Sequence, residues 1–127
     1  MNALTTYRLE AAAEHLGAAK FLLSGRHFKS TVVSSFFAQF NSMRALLAAE
    51  LYKRKSFLAI VRRFRRRYIE TNLFDEKYLR YFRAAFKARQ YSDYGDFVVV
   101  SREEAQEQYE HASEFCAAVK KFLEEEK

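Results

Sequence analysis

A chain of 127 residues with no proline, and with glycine only at Gly17, Gly25 and Gly95, has little means of turning sharply. A sheet reverses direction every few residues, and tight turns draw on Gly and Pro. Their scarcity predicts a few long helices joined by short connections. Half of the residues are hydrophobic and 17% are aromatic, so the chain has material for a core and global disorder is excluded. A single domain spanning residues 1–127 is expected. The lone cysteine, Cys116, cannot form an intrachain disulfide. That agrees with a reducing compartment, and a cytoplasmic location is expected. The longest apolar run is far short of the ~20 residues a membrane span requires, so no membrane is expected as partner.

Apolar spacing places the helices. Leu9, Ala12, Leu16, Ala19 and Leu23 recur at intervals of three and four, predicting a helix over 4–24 that stops at Gly25. Gly17, inside it, is expected to mark a close helix crossing. Residues 27–53 read as the longest helix, with Phe28, Val32, Phe36 and Phe40 as one ridge and a surface wide enough for the centre of a bundle. Phe57, Ile60, Val61, Phe64 and Tyr68 share one face of a third helix over 56–70. A fourth, capped near Asp75, runs to about Ser92. Phe97–Val100 is a short extended piece. Ser101 with Glu104 three residues later forms a capping box that opens the last helix. The expected fold is all-α: a compact up-and-down bundle of about five helices. Gln39, Ser34, Ser35, Asn41 and Ser42, set among the phenylalanines, suit either a polar seam at a close crossing or subunit contact, or a face turned to water.

Charge is unevenly divided. Residues 53–89 hold 13 Lys or Arg against three acids, whereas residues 101–127 hold four against eight Glu. Arg62, Arg63, Arg65, Arg66 and Arg67 crowd the polar side of the third helix, and no acid occurs from Lys53 to Tyr68. A solvated helix face ordinarily mixes signs, because opposite charges three or four apart support the helix. Arg62, Arg63, Arg66 and Arg67 are therefore candidates for a polyanion-binding face. The competing explanation is that the acidic last helix pairs with this one, within the bundle or across a dimer. The three histidines and the cysteine show no metal-ligand spacing, so no metal and no cofactor is expected. No phosphate-cradling glycine loop and no Gly-x-Ser-x-Gly elbow occurs.

The stripe Tyr78, Leu79, Phe82, Ala85, Phe86 of the fourth helix lands, three residues on, at Arg89. A permanent charge is thereby steered toward the core side, where it needs a partner. Asp93 lies one turn further, and Tyr91 and Tyr94 flank it. As a site, Arg89 would hold a phosphate, oriented by Asp93, with either tyrosine supplying a hydroxyl or a stacking face. As structure, Arg89 and Asp93 are a helix-end ion pair.

Two segments resemble the HEPN (higher-eukaryote-and-prokaryote nucleotide-binding) family. One is Ser34-Ser-Phe-Phe-Ala-Gln-Phe-Asn-Ser-Met-Arg-Ala-Leu-Leu47; the other is Arg89-Gln-Tyr-Ser-Asp-Tyr-Gly-Asp-Phe97 followed by the capped acidic helix. The resemblance implies a helical bundle, a homodimer, association with RNA or a nucleotide, and partnership with a minimal nucleotidyltransferase in a toxin–antitoxin pair. Active family ribonucleases follow an arginine by a histidine after four to six residues. Here four residues intervene after Arg89 and Tyr94 stands in that place. With a pKa near ~10, tyrosine is a poor general base at neutral pH. Arg8 and His15 have six residues between them, but on the first helix, away from the family's site. The resemblance thus implies a binding module that uses Arg89, Tyr91, Asp93 and Tyr94. The alternatives are a toxin endoribonuclease using Arg89 with Tyr94, and a purely structural dimeric assembly protein.

Overall fold

A computed structural model of the chain describes residues 1–125, with Tyr94 described through its backbone alone. It contains five α-helices: α1 (Ala3–Ser24), α2 (Phe28–Ala49), α3 (Phe57–Phe64), α4 (Lys77–Tyr94) and α5 (Arg102–Glu125). Among the described residues there is no strand.

Local chemistry sets the boundaries. The Asn2 side chain accepts from the Thr5 amide at 2.8 Å and opens α1; Gly25 closes it with its amide on the Phe21 carbonyl. The Ser56 hydroxyl accepts from Ala59 N at 3.1 Å to start α3, and Asp75 accepts from Lys77 N at 2.8 Å to start α4. Ser101 accepts from Glu104 N at 3.1 Å and its hydroxyl donates to the Glu104 carboxylate at 3.2 Å, as the sequence signature predicts. Such side-chain oxygens satisfy amides that the first helical turn leaves without partners.

α2 lies at the centre and packs on all four other helices. The Asn2 amide donates to the Ala48 carbonyl at 2.8 Å, so α1 begins where α2 ends, and the two are antiparallel. Phe36 meets Phe86 and Phe40 meets Phe82, so α4 is also antiparallel to α2. Val32 clusters with Ala105, and Ser42 meets Cys116, so α5 runs parallel to α2. The four long helices therefore alternate in direction along the chain, and α3 is a short crosspiece between the second and third of them.

Phe36, Met43 and Leu46 of α2 join Phe64, Phe82 and Phe115 in the main core, and each is essentially inaccessible. Burying a side chain of this size contributes about 1.5–3 kcal/mol. A second cluster of Leu23, Val32, Val98, Val100 and Ala105 seals the end where α4 turns into α5. Val98 and Val100 are buried and Val99 is exposed, the alternation of an extended segment that follows a left-handed turn at Phe97, with φ 56°.

The structure departs from the sequence reading in three places. α2 stops at Ala49, because Leu51 adopts a left-handed φ of 61° that turns the chain; α5, with 24 residues, is the longest helix. Gly17 faces open space, with no atom within 4 Å of a notional Cβ, and marks no crossing. α3 does not continue to residue 70 as an α-helix but widens into a π-turn over Arg65–Ile69, with Glu70 N donating to the Arg65 carbonyl at 2.9 Å. Of the two readings of the polar residues among the phenylalanines, the structure gives the seam for Ser35, Gln39 and Ser42, which with Thr31 form a polar stripe with no exposure inside the bundle. Ser42 donates to the Cys116 sulfur at 3.1 Å.

Candidate functional site

α4 delivers Arg89 to the surface of α2 one helical turn short of its own end. The guanidinium carbon lies 5.2 Å from the Phe36 ring centre and 4.9 Å from that of Phe37. Two aromatic faces thus take a cation whose side chain remains 28% exposed. Asp93 sits one turn on, its carboxylate 3.4 Å from Arg89 Nε. The contact is ionic but poorly aligned, and Nε has no hydrogen-bond partner. The periodicity argument therefore places the charge at the edge of the core, with Nε buried and the rest of the side chain partly exposed.

Of the neighbours expected around Arg89, Asp93 is there and Tyr91 is not. Residues two apart on a helix do not share a face. Tyr91 is 65% exposed and lines a small cavity of about 100 Å³ against Glu104 and Glu107 of α5. The Tyr94 side chain lies outside the described residues. A residue from another helix takes part instead: His15 of α1 packs on the Phe37 ring at a centroid distance of 5.5 Å. Arg89 and His15 therefore share one aromatic platform.

The arginines of α3 and its π-turn divide into two sets. Arg63 donates to Glu50 at 3.0 Å, and Arg67 Nε lies 3.5 Å from the same carboxylate oxygen. Glu50 caps α2 and also accepts from the Tyr68 hydroxyl at 3.0 Å. Burial first, and the Glu50 charge second, hold the Tyr68 phenol far above its ordinary range, so it stays a proton donor. Arg65 pairs with Glu70 at 3.2 Å. Arg62 and Arg66 are exposed and form no ion pair among the described residues. The acids that answer this helix come from the end of α2 and from its own last turn. α5 pairs elsewhere, through Glu114 with Lys77 of α4 at 2.8 Å.

A cationic cavity that the sequence reading did not identify opens between the start of α1, the end of α2 and the segment leading to α3. Its volume is about 450 Å³. Arg8, Arg44, Lys53, Arg54 and Lys55 line it, and no carboxylate does. One clue was present in the sequence: the ridge Phe28, Val32, Phe36, Phe40, continued by four, lands on Arg44. The approach of Arg8 depends on how α1 and α2 align, which spacing within either helix does not reveal. Among the described residues no group of three potential metal ligands comes together, and no helix is long and apolar enough to cross a membrane.

Comparison with known proteins places this arrangement. The sequence profile of the HEPN domain family matches residues 5–122. A Methanocaldococcus jannaschii protein named "Putative toxin MJ0142" is 25% identical over 91% of this chain and 78% of its own length. A UPF0332 protein of Thermotoga maritima is 26% identical over 94% of this chain and 90% of its own. A second M. jannaschii protein, "Putative toxin MJ0605", is 27% identical over 92% of this chain and 87% of its own.

Proposed function

Because the chain belongs to the HEPN domain family, we propose that it is the RNA- or nucleotide-binding module of a toxin–antitoxin pair, a homodimer whose partner is a minimal nucleotidyltransferase. The observation that carries this reading is the state of Arg89: a guanidinium seated on two phenylalanine rings, one-quarter exposed, with an unpartnered Nε and a loosely held carboxylate beside it. The Asp93 contact, at 3.4 Å, is looser than the 3.0 Å hydrogen bond from Arg63 to Glu50. The Arg89 pair leaves donors for a phosphate and an aromatic shelf for a base. Arg62 and Arg66, exposed and without ionic partners among the described residues, add positive surface on α3 and its π-turn. The toxin names of the relatives support the pairing with an antitoxin.

The test uses the purified protein and a fluorescently labelled single-stranded RNA, followed by anisotropy and by gel. Arg89→Ala is expected to weaken binding at least tenfold, with the RNA left intact. Unchanged affinity in that variant overturns the reading.

A second reading, a toxin endoribonuclease, draws on the position of His15. The imidazole lies on the same Phe37 ring as Arg89, and histidine is the side chain most often used as a general base. In that reading the histidine that the spacing after Arg89 lacks is supplied by α1. RNA cleavage that is lost in both Arg89→Ala and His15→Asn would select it over the binding module.

A further inference from the structure

We infer that the cavity bounded by Arg8, Arg44 and Lys53–Lys55 is a second ligand site, one that takes the phosphate group of a nucleotide and holds its base on an apolar floor. This deepens the proposed association with nucleotides by giving it a location separate from Arg89.

Four observations carry the inference. The first is uncompensated charge. Five cationic residues line one concave space, none of them forms an ion pair among the described residues, and no Asp or Glu lines the space. Elsewhere on this protein, cations that converge do so on an acid, as Arg63 and Arg67 do on Glu50. The second is the condition of the two arginines. Arg44 has its Nε buried with no hydrogen-bond partner, while its guanidinium carbon is held 5.6 Å from the Phe40 ring centre. Arg8 faces Arg44, and burial together with the Arg44 charge makes its own protonated form harder to keep. Two like charges held together at a half-buried site are costly unless an anion joins them.

The third is the lining of the remainder. Leu47, Leu51, Ile60 and Tyr52 supply an apolar floor and wall. Small-molecule sites combine such a floor with a few charged groups that fix orientation, in volumes of about 300–1,000 Å³. A nucleoside phosphate fits that description. A bare inorganic anion would leave the floor unused, and a flat acidic protein surface would not enter. The fourth is how the cations are delivered. The left-handed turn at Leu51 brings the backbone back onto α2, with Tyr52 N donating to the Leu47 carbonyl at 3.0 Å. Lys53, Arg54 and Lys55 then run along the mouth without regular structure. Arginines fixed on helices give forked contacts to phosphate oxygens, and long side chains on a loop can close over the bound group.

The experiment titrates an N-methylanthraniloyl-labelled ADP into the full chain and follows its fluorescence, with unlabelled ADP, inorganic phosphate and single-stranded RNA as competitors. Arg44→Gln and Arg8→Gln are each expected to weaken binding at least tenfold, and Arg44→Lys by less. Lys29→Gln, the same change in net charge on an exposed part of α2, is expected to leave binding within twofold. ADP should compete far better than phosphate, because the floor takes the base. If Arg44→Gln fails to fold, Arg8→Gln and the triple change of Lys53, Arg54 and Lys55 to Gln serve in its place. Affinity unchanged in Arg44→Gln and Arg8→Gln overturns the inference. So does binding abolished by Arg89→Ala but not by these changes, which would move the nucleotide to Arg89 and uphold the reading proposed above. Competition by RNA alone, with ADP inert, overturns the nucleotide assignment while leaving RNA binding intact.

Discussion

Replacing Glu50 by alanine removes one carboxylate that three side chains share. The Tyr68 hydroxyl donates to it at 3.0 Å, and Tyr68 is 3% exposed. A hydrogen bond of that kind, from a buried group to an ionised one, contributes about 1.5–3 kcal/mol. The two arginine contacts count for much less. The Arg63 and Arg67 side chains are 42% and 51% exposed, so water screens them, and about 0.5 kcal/mol each is an upper figure. Glu50→Ala is therefore expected to cost about 2–3 kcal/mol. At roughly 4 °C per kcal/mol for a domain of this size, Tm falls by about 10 °C. Glu50→Gln keeps an acceptor for Tyr68 and should cost about 1 kcal/mol. Urea and thermal melts of the three proteins measure both values. Freeing Arg63 and Arg67 should also raise the salt concentration needed to elute the protein from heparin. A Tm for Glu50→Ala within 2 °C of the parent would refute the reasoning, since it would mean that the buried phenol finds an equal acceptor, such as the Leu46 carbonyl at 3.3 Å.

Two further outcomes are expected. In Gly95→Ala the added Cβ meets the Tyr91 carbonyl oxygen at 2.6 Å, as well as a methyl of Val98; a backbone oxygen already accepting from Gly95 N cannot give way, so denaturant melts should show a loss of about 2 kcal/mol, and a loss under 0.5 kcal/mol would count against this. Burial pushes the Cys116 thiol up to about 11, with the Ser42 contact pulling weakly the other way. The folded chain thus keeps a proton that the unfolded chain sheds above its ordinary value of about 8.5, so this group leaves stability intact below that pH and erodes it as pH rises toward 11. Urea melts at pH 8 and pH 10.5 should differ less in Cys116→Ala than in the parent, and an unchanged difference would rule the thiol out as a source.

Residues that act along one helix could be read from spacing; residues that act between helices could not. The arrival of Arg89 at the core edge follows from its own stripe, and Asp93 follows from the next turn. The order of the helices likewise followed from apolar spacing, and the resemblance to HEPN proteins agreed with it. Tyr91 was adjacent in sequence but two residues on, and a helix turns such a neighbour away. The clasp on Glu50 escaped the sequence reading because its acid precedes Arg63 by 13 residues and caps the end of α2. A charge count begun at Lys53 therefore found no counter-ion. His15 and Arg8 required the register between α1 and α2, which is fixed in part by Asn2 on the Ala48 carbonyl. The left-handed turn at Leu51 had no signal, since leucine carries no preference for it.

The π-turn from Arg65 to Ile69 makes the count of residues in this stretch matter more than their kind. It carries the chain from Phe64, which lies in the core, to Tyr68, which reaches Glu50. Trimming a single arginine there would shorten the four-residue step that keeps Phe64 and Tyr68 on one face and shift the phenol against its acceptor, although the net charge would fall by only one. Exchanging Arg62 or Arg66 for lysine would leave that phasing untouched. Natural variation here should therefore be generous in side chain and strict in length.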